Sequence, residues 1–396
     1  MNIETTSSRA TPPLSEVFFS RAFRPFFFGA GLFGGLLIIL WLVMLTGAFE
    51  PPSHLSARDW HVHEMIFGYF AAAMTGFLLT AVPNWTGRMP LAGAPLALLF
   101  GLWLAGRLAM FFSDIAPYTA IVADAAYLPV LSFLIWREII AGRNRRNIVV
   151  ALLVTALMAA NLVFHAQFLF GPDTIPLAER LGLSVAAGLV MLIGGRIVPS
   201  FTRNWLMKQG VRDEPSLPTP FGPFDRLAVV VAALALAGWA WLGEHPAVGA
   251  LFGLAGLLNL LRLLRWRGWL AMSEPLVWIL HVGYLWLPAW MLLMAASAFG
   301  LWPFTDALHA LTAGAIVVMT LAVMSRASLG HSGRPLKANA LTTIIYLLAI
   351  AGALVRVLAA YLPTMMAWHL SGTLTAGALL LFAFGYAPVF FRPRPR

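Results

Sequence analysis

Residues 59–82 read DWHVHEMIFGYFAAAMTGFLLTAV and form one of the longest apolar runs in the chain. A helix needs about 20 apolar residues to cross the hydrocarbon core of a bilayer, and this run is long enough. Two histidines and a glutamate stand at its entrance, where ionisable groups are costly and usually mark function. The stretch therefore predicts a membrane-spanning helix with a functional site near one end.

The remainder of the chain has the same apolar character. Of its 396 residues, 60% are hydrophobic and 11% are charged, which predicts an all-α integral membrane protein in contact with lipid. The net charge of +10 does not indicate nucleic acid, because the basic residues lie between the apolar runs. The polar start lacks the compact basic and apolar regions of a cleavable signal peptide, so we expect the first span to be retained.

Twelve spans are predicted from apolar windows that are bounded by charged residues, proline and glycine. Because their number is even, both ends of the chain lie on the same side of the membrane. The predicted spans are residues 24–47, 59–82, 91–112, 115–136, 148–170, 178–199, 225–243, 247–264, 275–298, 306–325, 340–361 and 367–391.

The basic residues predict the orientation. If the N-terminus is cytoplasmic, every Lys and Arg except Arg58, Arg107, Arg180 and Arg356 falls on the cytoplasmic side. Cytoplasmic loops of membrane proteins carry an excess of Lys and Arg, so both termini are predicted to face the cytoplasm of a bacterial inner membrane. His61 and His63 then enter the second span from the outer, periplasmic side.

An internal repeat is suggested by the ends of three spans. The segments TAVPNWTGR, GRIVPSFTR and ASLGHSGRP place Thr86, Thr202 and Ser332 in register, at spacings of 116 and 130 residues. Counting back 23 residues from these anchors reaches His63, Glu179 and His309 at one depth. The single membrane domain then divides into three blocks of four spans, residues 24–136, 148–264 and 275–391.

The histidines concentrate at one depth. Five of the nine lie near the outer ends of predicted spans and a sixth lies inside span nine; the alternative for any one of them is a simple headgroup location. The chain has no cysteine, so a metal would bind through His, Met, carboxylate or Tyr, and covalent c-type haem attachment is excluded. The six candidates are His61, His63, His165, His281, His309 and His369.

His61 and His63 are two residues apart, which places them about 200° apart on a helix. They are therefore expected to serve different partners. Asp59, four residues before His63, is placed either to cap the helix or to hold the non-ligating nitrogen of that imidazole. We favour the capping role.

Arg107 and Arg356 are predicted to lie in the outer halves of spans three and eleven. A guanidinium inside a span needs an anionic partner or a route to the interface. A ligand with two carboxylates, such as haem with its propionates, would satisfy both residues. The alternatives are extension to lipid headgroups, or a pair between one arginine and Asp124 of span four.

Several of these segments resemble the NnrS family. The resemblance is carried by WHVHEMIFGYFAAAMTGFLLTAVPNWTGR at residues 60–88, RPFFFGAGLFG upstream, GGRIVPSFTRN in span six and WHLSGT at residues 368–373. It covers essentially the whole chain. That resemblance implies a polytopic membrane protein that contains haem and copper and acts in the response to nitric oxide.

The threefold arrangement of four-helix blocks also resembles the catalytic subunit of haem–copper oxidases, in which the second and tenth spans supply haem ligands. This fits haem on His63 and His309, with His369 in reserve and Arg107 and Arg356 as candidates for the propionates. The haem is expected to be b-type because the chain has no CxxCH segment. Copper is expected on ligands from His61, His165, His281 or His369, because neutral imidazoles suit copper.

The expected function is haem and copper binding in nitric oxide tolerance or metabolism, with redox catalysis, sensing and sequestration all left open. A twelve-span secondary transporter is the alternative from another class. Transporters more often show two six-span halves with polar groups near the midplane. Outer-end histidines and a threefold repeat favour the cofactor interpretation.

Overall fold

The structure is a computed structural model that describes residues 13–171 and 174–394. All regular secondary structure in these ranges is helical, and twelve helices are long and apolar enough to cross a membrane, which confirms the predicted fold class. The polar start at residues 1–12 and the C-terminal Arg396 lie outside the described residues.

The twelve helices are numbered in chain order. They are α1 (Phe23–Leu45), α2 (Ala57–Thr86), α3 (Ala94–Phe111), α4 (Pro117–Ala141), α5 (Arg145–His165), α6 (Ile175–Lys208), α7 (Pro223–Leu242), α8 (Pro246–Leu264), α9 (Pro275–Ala298), α10 (Phe304–His331), α11 (Ala340–Val357) and α12 (Thr364–Phe391).

Short helical segments precede or connect the spans. Leu14–Phe18 precedes α1, and Gln167–Phe170 follows α5 as a separate turn, so the predicted fifth span ends five residues early at His165. Three other connections each contain one 3₁₀ turn, at Glu214–Ser216, Gly268–Ala271 and Ala359–Tyr361.

Three of the spans form the centre of the bundle. The most apolar windows of α2, α6 and α10 are 83%, 67% and 72% buried inside the protein, whereas no other span exceeds 56%. A span that is apolar all round and surrounded by protein needs no polar face, which is the pattern of a core helix. The bilayer-facing surface is therefore supplied by the other nine helices.

Each central span contains a π-helical segment: Glu64–Phe70 in α2, Val190–Gly194 in α6 and Ala310–Val318 in α10. π turns are rare and frequently lie at functional sites. The segments in α2 and α10 begin directly after His63 and His309, the two residues that the predicted repeat pairs. The repeat itself, and the likeness to haem–copper oxidases, stay predictions.

The central spans continue beyond their predicted ends at residues 82, 199 and 325. They reach Thr86, Lys208 and His331, and the first two carry Pro83 and Pro199 inside the helix. The prediction ended the first two of these spans at proline and the third before the charged Arg326. Membrane-protein helices tolerate proline, since neighbouring groups satisfy the backbone atoms that it leaves unpaired.

Candidate metal centre

The histidine and glutamate at the start of α2 are the first members of a buried polar cluster. His63 ends the α-helical first turns of α2, and Glu64 begins the π-helical segment. Both side chains are completely buried. The two residues reach towards α4 and α5, where Asp124, Asn161 and His165 are also buried.

Asp124 joins the two histidines of this cluster. Its Oδ2 lies 2.7 Å from Nε2 of His165 and 3.2 Å from Nε2 of His63. The amide nitrogen of Asn161 donates to the same oxygen over 2.9 Å and lies 3.3 Å from Nε2 of His63. His63, Asp124 and His165 each present one ligand atom, and the three atoms lie within 4.8 Å of one another.

Glu64 and Arg107 hold this arrangement from the other side. Glu64 Oε1 lies 2.9 Å from Nδ1 of His63, which leaves Nε2 of that ring directed at Asp124. Arg107 of α3 donates to Glu64 Oε2 over 2.8 Å and also forms a short hydrogen bond with Asp124 Oδ1. A carboxylate on the outer nitrogen of a histidine is the usual support for a metal-ligating imidazole.

The formal charges of the cluster do not cancel. Glu64 and Asp124 are acidic, Arg107 is the one guanidinium that contacts them, and neutral imidazoles contribute nothing. All three ionic side chains are at least 97% buried. Because an uncompensated charge in such surroundings is very costly, the cluster requires one further positive charge, either a proton or a metal cation.

The walls of the cluster are aromatic. The ring of His63 packs against Phe67 and Phe164 with centroids 5.1 and 4.9 Å away, and it lies 5.2 Å from the ring of His165. Three polar atoms of the cluster are buried without a hydrogen-bond partner among the described residues: Nδ1 of His165, Oδ1 of Asn161 and Nε of Arg107. The site therefore holds unused polar atoms inside an aromatic wall.

His61 faces another part of the bundle, as its angular separation from His63 predicts. Its ring stacks on Trp41 of α1, with centroids 4.4 Å apart and planes 19° apart. Nδ1 of His61 is buried without a partner among the described residues. His61 and His309 lie in the first turns of α2 and α10, and Arg356 pairs with Asp306, three residues before His309, over 2.6 Å. His61, His309 and Arg356 are referred to as the second group.

The remaining candidate histidines lie apart from the two groups. His281 is hydrogen-bonded through Nε2 to Thr202 of α6 over 2.7 Å. His369 lines a groove of about 420 Å³ between α1 and α12. The structure therefore places His63 beside His165, and the shared haem role of His63 and His309 stays a prediction.

The two arginines predicted in outer half-spans, Arg107 and Arg356, have carboxylate partners within the protein. Arg107 bridges Glu64 and Asp124, so the alternative that paired an arginine with Asp124 describes it correctly. Arg356 forms an ion pair with Asp306 over 2.6 Å. Neither arginine needs a propionate or a lipid headgroup to balance its charge.

The preference for Asp59 as the helix cap was wrong. Ser56 is the N-cap of α2, and its Oγ accepts a hydrogen bond from the backbone nitrogen of Asp59 over 3.1 Å. The Asp59 carboxylate accepts from Ser56 and Arg58 instead. Glu64, not Asp59, is the carboxylate on the ring of His63.

The sequence analysis assigned no role in the site to Glu64 or Asn161. It considered Asp124 only as a partner for an arginine and not as a metal ligand. Glu64 was visible as a carboxylate at the entrance of the longest run. Asp124 is the only acidic residue in the predicted fourth span. An isolated acid in an apolar span is itself a sign of function, and that sign could have placed Asp124 in the site.

The fold and this cluster define a polytopic membrane protein with a buried histidine–carboxylate centre near one end of its core spans. The chain belongs to the NnrS family, whose model, described as NnrS protein, matches residues 17–394. A search of curated proteins finds no match to this chain.

Proposed function

We propose that this protein is a metalloprotein of the bacterial inner membrane that binds a transition-metal ion, copper, at His63, Asp124 and His165. The observation that supports the proposal is the excess negative charge of a fully buried cluster that also contains two imidazole nitrogens. A copper(I) ion would balance that single charge, whereas a divalent ion would leave the cluster with a net charge of +1. A proton would balance it too, and metal analysis separates the two.

The donor set fits such an ion. Ligand atoms about 2.0–2.2 Å from a metal lie roughly 3 Å from each other, and Asp124 Oδ2 already lies 2.7 and 3.2 Å from the two imidazole nitrogens. Two imidazoles and a carboxylate accept copper(II) and also iron(II). The resemblance to the NnrS family favours copper.

Haem is the second proposed cofactor, and the group at the outer ends of α1, α2 and α10 suits it better than His63 does. Nδ1 of His63 is held by Glu64, and its Nε2 faces Asp124 and Asn161 within the proposed copper site, so neither nitrogen is left for a haem. In His309, Nδ1 donates to the Thr305 carbonyl over 2.6 Å, which leaves Nε2 as the ligating nitrogen. We therefore propose His61 and His309 as haem ligands, with His369 in reserve.

Nitric oxide, or a related small ligand, is the proposed partner of these centres. Ferrous haem and His-ligated copper both bind it, and the chemistry they would supply is reversible ligand binding or one-electron transfer. The protein's own contribution is positioning and the exclusion of water, through the buried ion pairs and the aromatic wall around His63. The proposed orientation places both groups towards the periplasm.

Elemental analysis of the purified protein tests the metal site. We expect about one copper per chain in the wild type and its loss in His165→Ala. His281→Ala is the matched control. His281 is also a largely buried histidine inside a span, but among the described residues its side chain is hydrogen-bonded to Thr202 and to no carboxylate. Equal copper in His165→Ala and wild type would refute the site, and iron in its place would change the proposed metal.

A visible spectrum tests the haem. We expect a Soret band whose pigment is extracted by acid acetone, since the chain has no cysteine to hold haem covalently. His61→Ala and His309→Ala should lose the band, whereas His63→Ala should retain it and lose copper. If His63→Ala loses the band and His61→Ala keeps it, the proposed assignment of the two histidines is reversed.

A further inference from the structure

A small, partly open apolar space lies among the three central spans, below the level of the polar cluster. It has a volume of about 60 Å³ and is lined only by residues of α2, α6 and α10. Each span contributes residues within or next to its π-helical segment, among them Phe70, Val190 and Met319. Small residues of the wall, Ala73 and Gly194, leave room that larger side chains would fill.

The wall of this space offers nothing to a water molecule. Among the described residues that line it, the Thr320 hydroxyl is the one oxygen-bearing side chain. That hydroxyl pairs with Tyr69 over 2.6 Å and donates to the carbonyls of Ile316 and Val317, over 2.8 and 3.0 Å. A buried water needs two to four polar partners, so an apolar space of this kind stays dry.

The volume is large enough to hold a ligand. On the same scale a water needs roughly 10–15 Å³, and an engineered apolar cavity of about 150 Å³ binds benzene or xenon. About 60 Å³ therefore accommodates one small molecule and excludes a ring. Empty space in a core costs contact energy, so an occupant of suitable size would be bound by dispersion alone.

We infer that this space, hereafter the central cavity, is a binding site for one uncharged gas molecule of two or three atoms. Such molecules dissolve in the bilayer and can reach a site between spans without crossing water. Phe70 of the cavity follows His63 by seven residues on α2, roughly 10 Å at 1.5 Å per residue. The cavity therefore lies close enough to the polar cluster to supply it.

The inference goes beyond the proposed function because none of the residues proposed to hold copper or haem lines the central cavity. Only the identification of the gas as nitric oxide would rest on that function. A xenon site should also persist in His165→Ala, which is expected to lose copper. Failure of the metal site and failure of the cavity are thus separate results.

Xenon is the probe, and three methionine methyl groups of the wall, Met74, Met319 and Met324, are the reporters. In protein labelled with ¹³C at the methionine methyls, we expect these three signals to shift with xenon pressure and to saturate. Met110 and Met291 are equally buried elsewhere and serve as internal references that should not move. Shifts of all methionines together, or none in the three reporters, would overturn the inference.

Substitutions that fill the cavity provide a second test of the inference. Ala73→Leu should abolish the saturable response, and Val323→Phe fills the opposite wall should the first variant fail to fold. Ala233→Leu is the control, because it is the same substitution on an exposed face of α7. It should leave xenon binding unchanged. A response that survives both filling variants would show that xenon binds elsewhere.

Discussion

Arg107 donates a hydrogen bond to Glu64 over 2.8 Å, and both side chains are at least 97% buried. The same guanidinium bonds to Asp124, so one cation serves two carboxylates from two other spans. This bridge fixes α3 against α2 and α4 at the level of the proposed metal. Removal of Arg107 would leave two buried carboxylates without their cation.

We expect Arg107→Leu to destabilise the protein by about 3–5 kcal/mol, the usual cost of breaking a buried ion pair from one side. Arg88→Leu is the matched control: Arg88 pairs with Glu138 over 2.5 Å, but its side chain is 43% exposed. An exposed pair is worth about 0–1 kcal/mol. The comparison is made by thermal unfolding of both variants in one detergent, and equal melting temperatures would contradict the bridging role.

Substitutions of the two carboxylates in the cluster, Asp124 and Glu64, should affect copper binding to different degrees. Asp124→Asn replaces a proposed ligand and should remove copper. Glu64→Gln changes a group that only supports His63, and such changes usually weaken metal binding by about 10–100-fold. Copper titration of apoprotein measures both affinities. A larger loss in Glu64→Gln than in Asp124→Asn would mean that Glu64, not Asp124, is the ligand.

The orientation prediction is tested with reporter fusions. Fusions after Arg145 and after Lys337 should report cytoplasm, because these positions follow even-numbered spans and lie among basic residues. A fusion near Pro303, between α9 and α10, should report periplasm. The opposite pattern would place the His63 and His61 groups on the cytoplasmic side.

The sequence predicted the fold well for a physical reason. A helix that crosses a bilayer must be long and apolar, and this property is visible in a run of consecutive residues. The angular separation of His61 and His63 was likewise predictable, because it depends on the helix alone. The partners of these histidines were not: Asp124 and His165 lie 61 and 102 residues further along the chain, and only packing brings them to His63.

The π-helical segment of α2 could not be predicted from the sequence either. A π turn depends on contacts that a 3.6-residue period does not encode, and it changes which residues face a neighbouring span. The sequence correctly predicted that Arg107 needs an anionic partner. A haem propionate was proposed for that partner, because the sequence does not show that Glu64 and Asp124 both lie within reach of the guanidinium.

The last prediction concerns Gly68, which lies inside the π-helical segment. A Cβ at this position would come within 2.8 Å of Arg107 Nη1, 2.8 Å of Phe33 and 3.1 Å of Glu64 Oε2. Those atoms belong to the buried bridge and its surroundings, and the Gly68 carbonyl also accepts a hydrogen bond from Trp103 over 3.1 Å. An alanine here would therefore displace the guanidinium.

We expect Gly68→Ala to destabilise the protein by about 1–3 kcal/mol, as overpacking of a tight core does, and to weaken copper binding because Arg107 no longer orients Glu64 and Asp124. Gly101→Ala on α3 is the control, since a Cβ there has no atom within 4 Å, and alanine in an open helical position stabilises by about 0.5–1 kcal/mol. Melting temperature and copper content are measured for both. If the two variants behave alike, the glycine does not maintain the bridge, and the geometry around Arg107 must tolerate a methyl group.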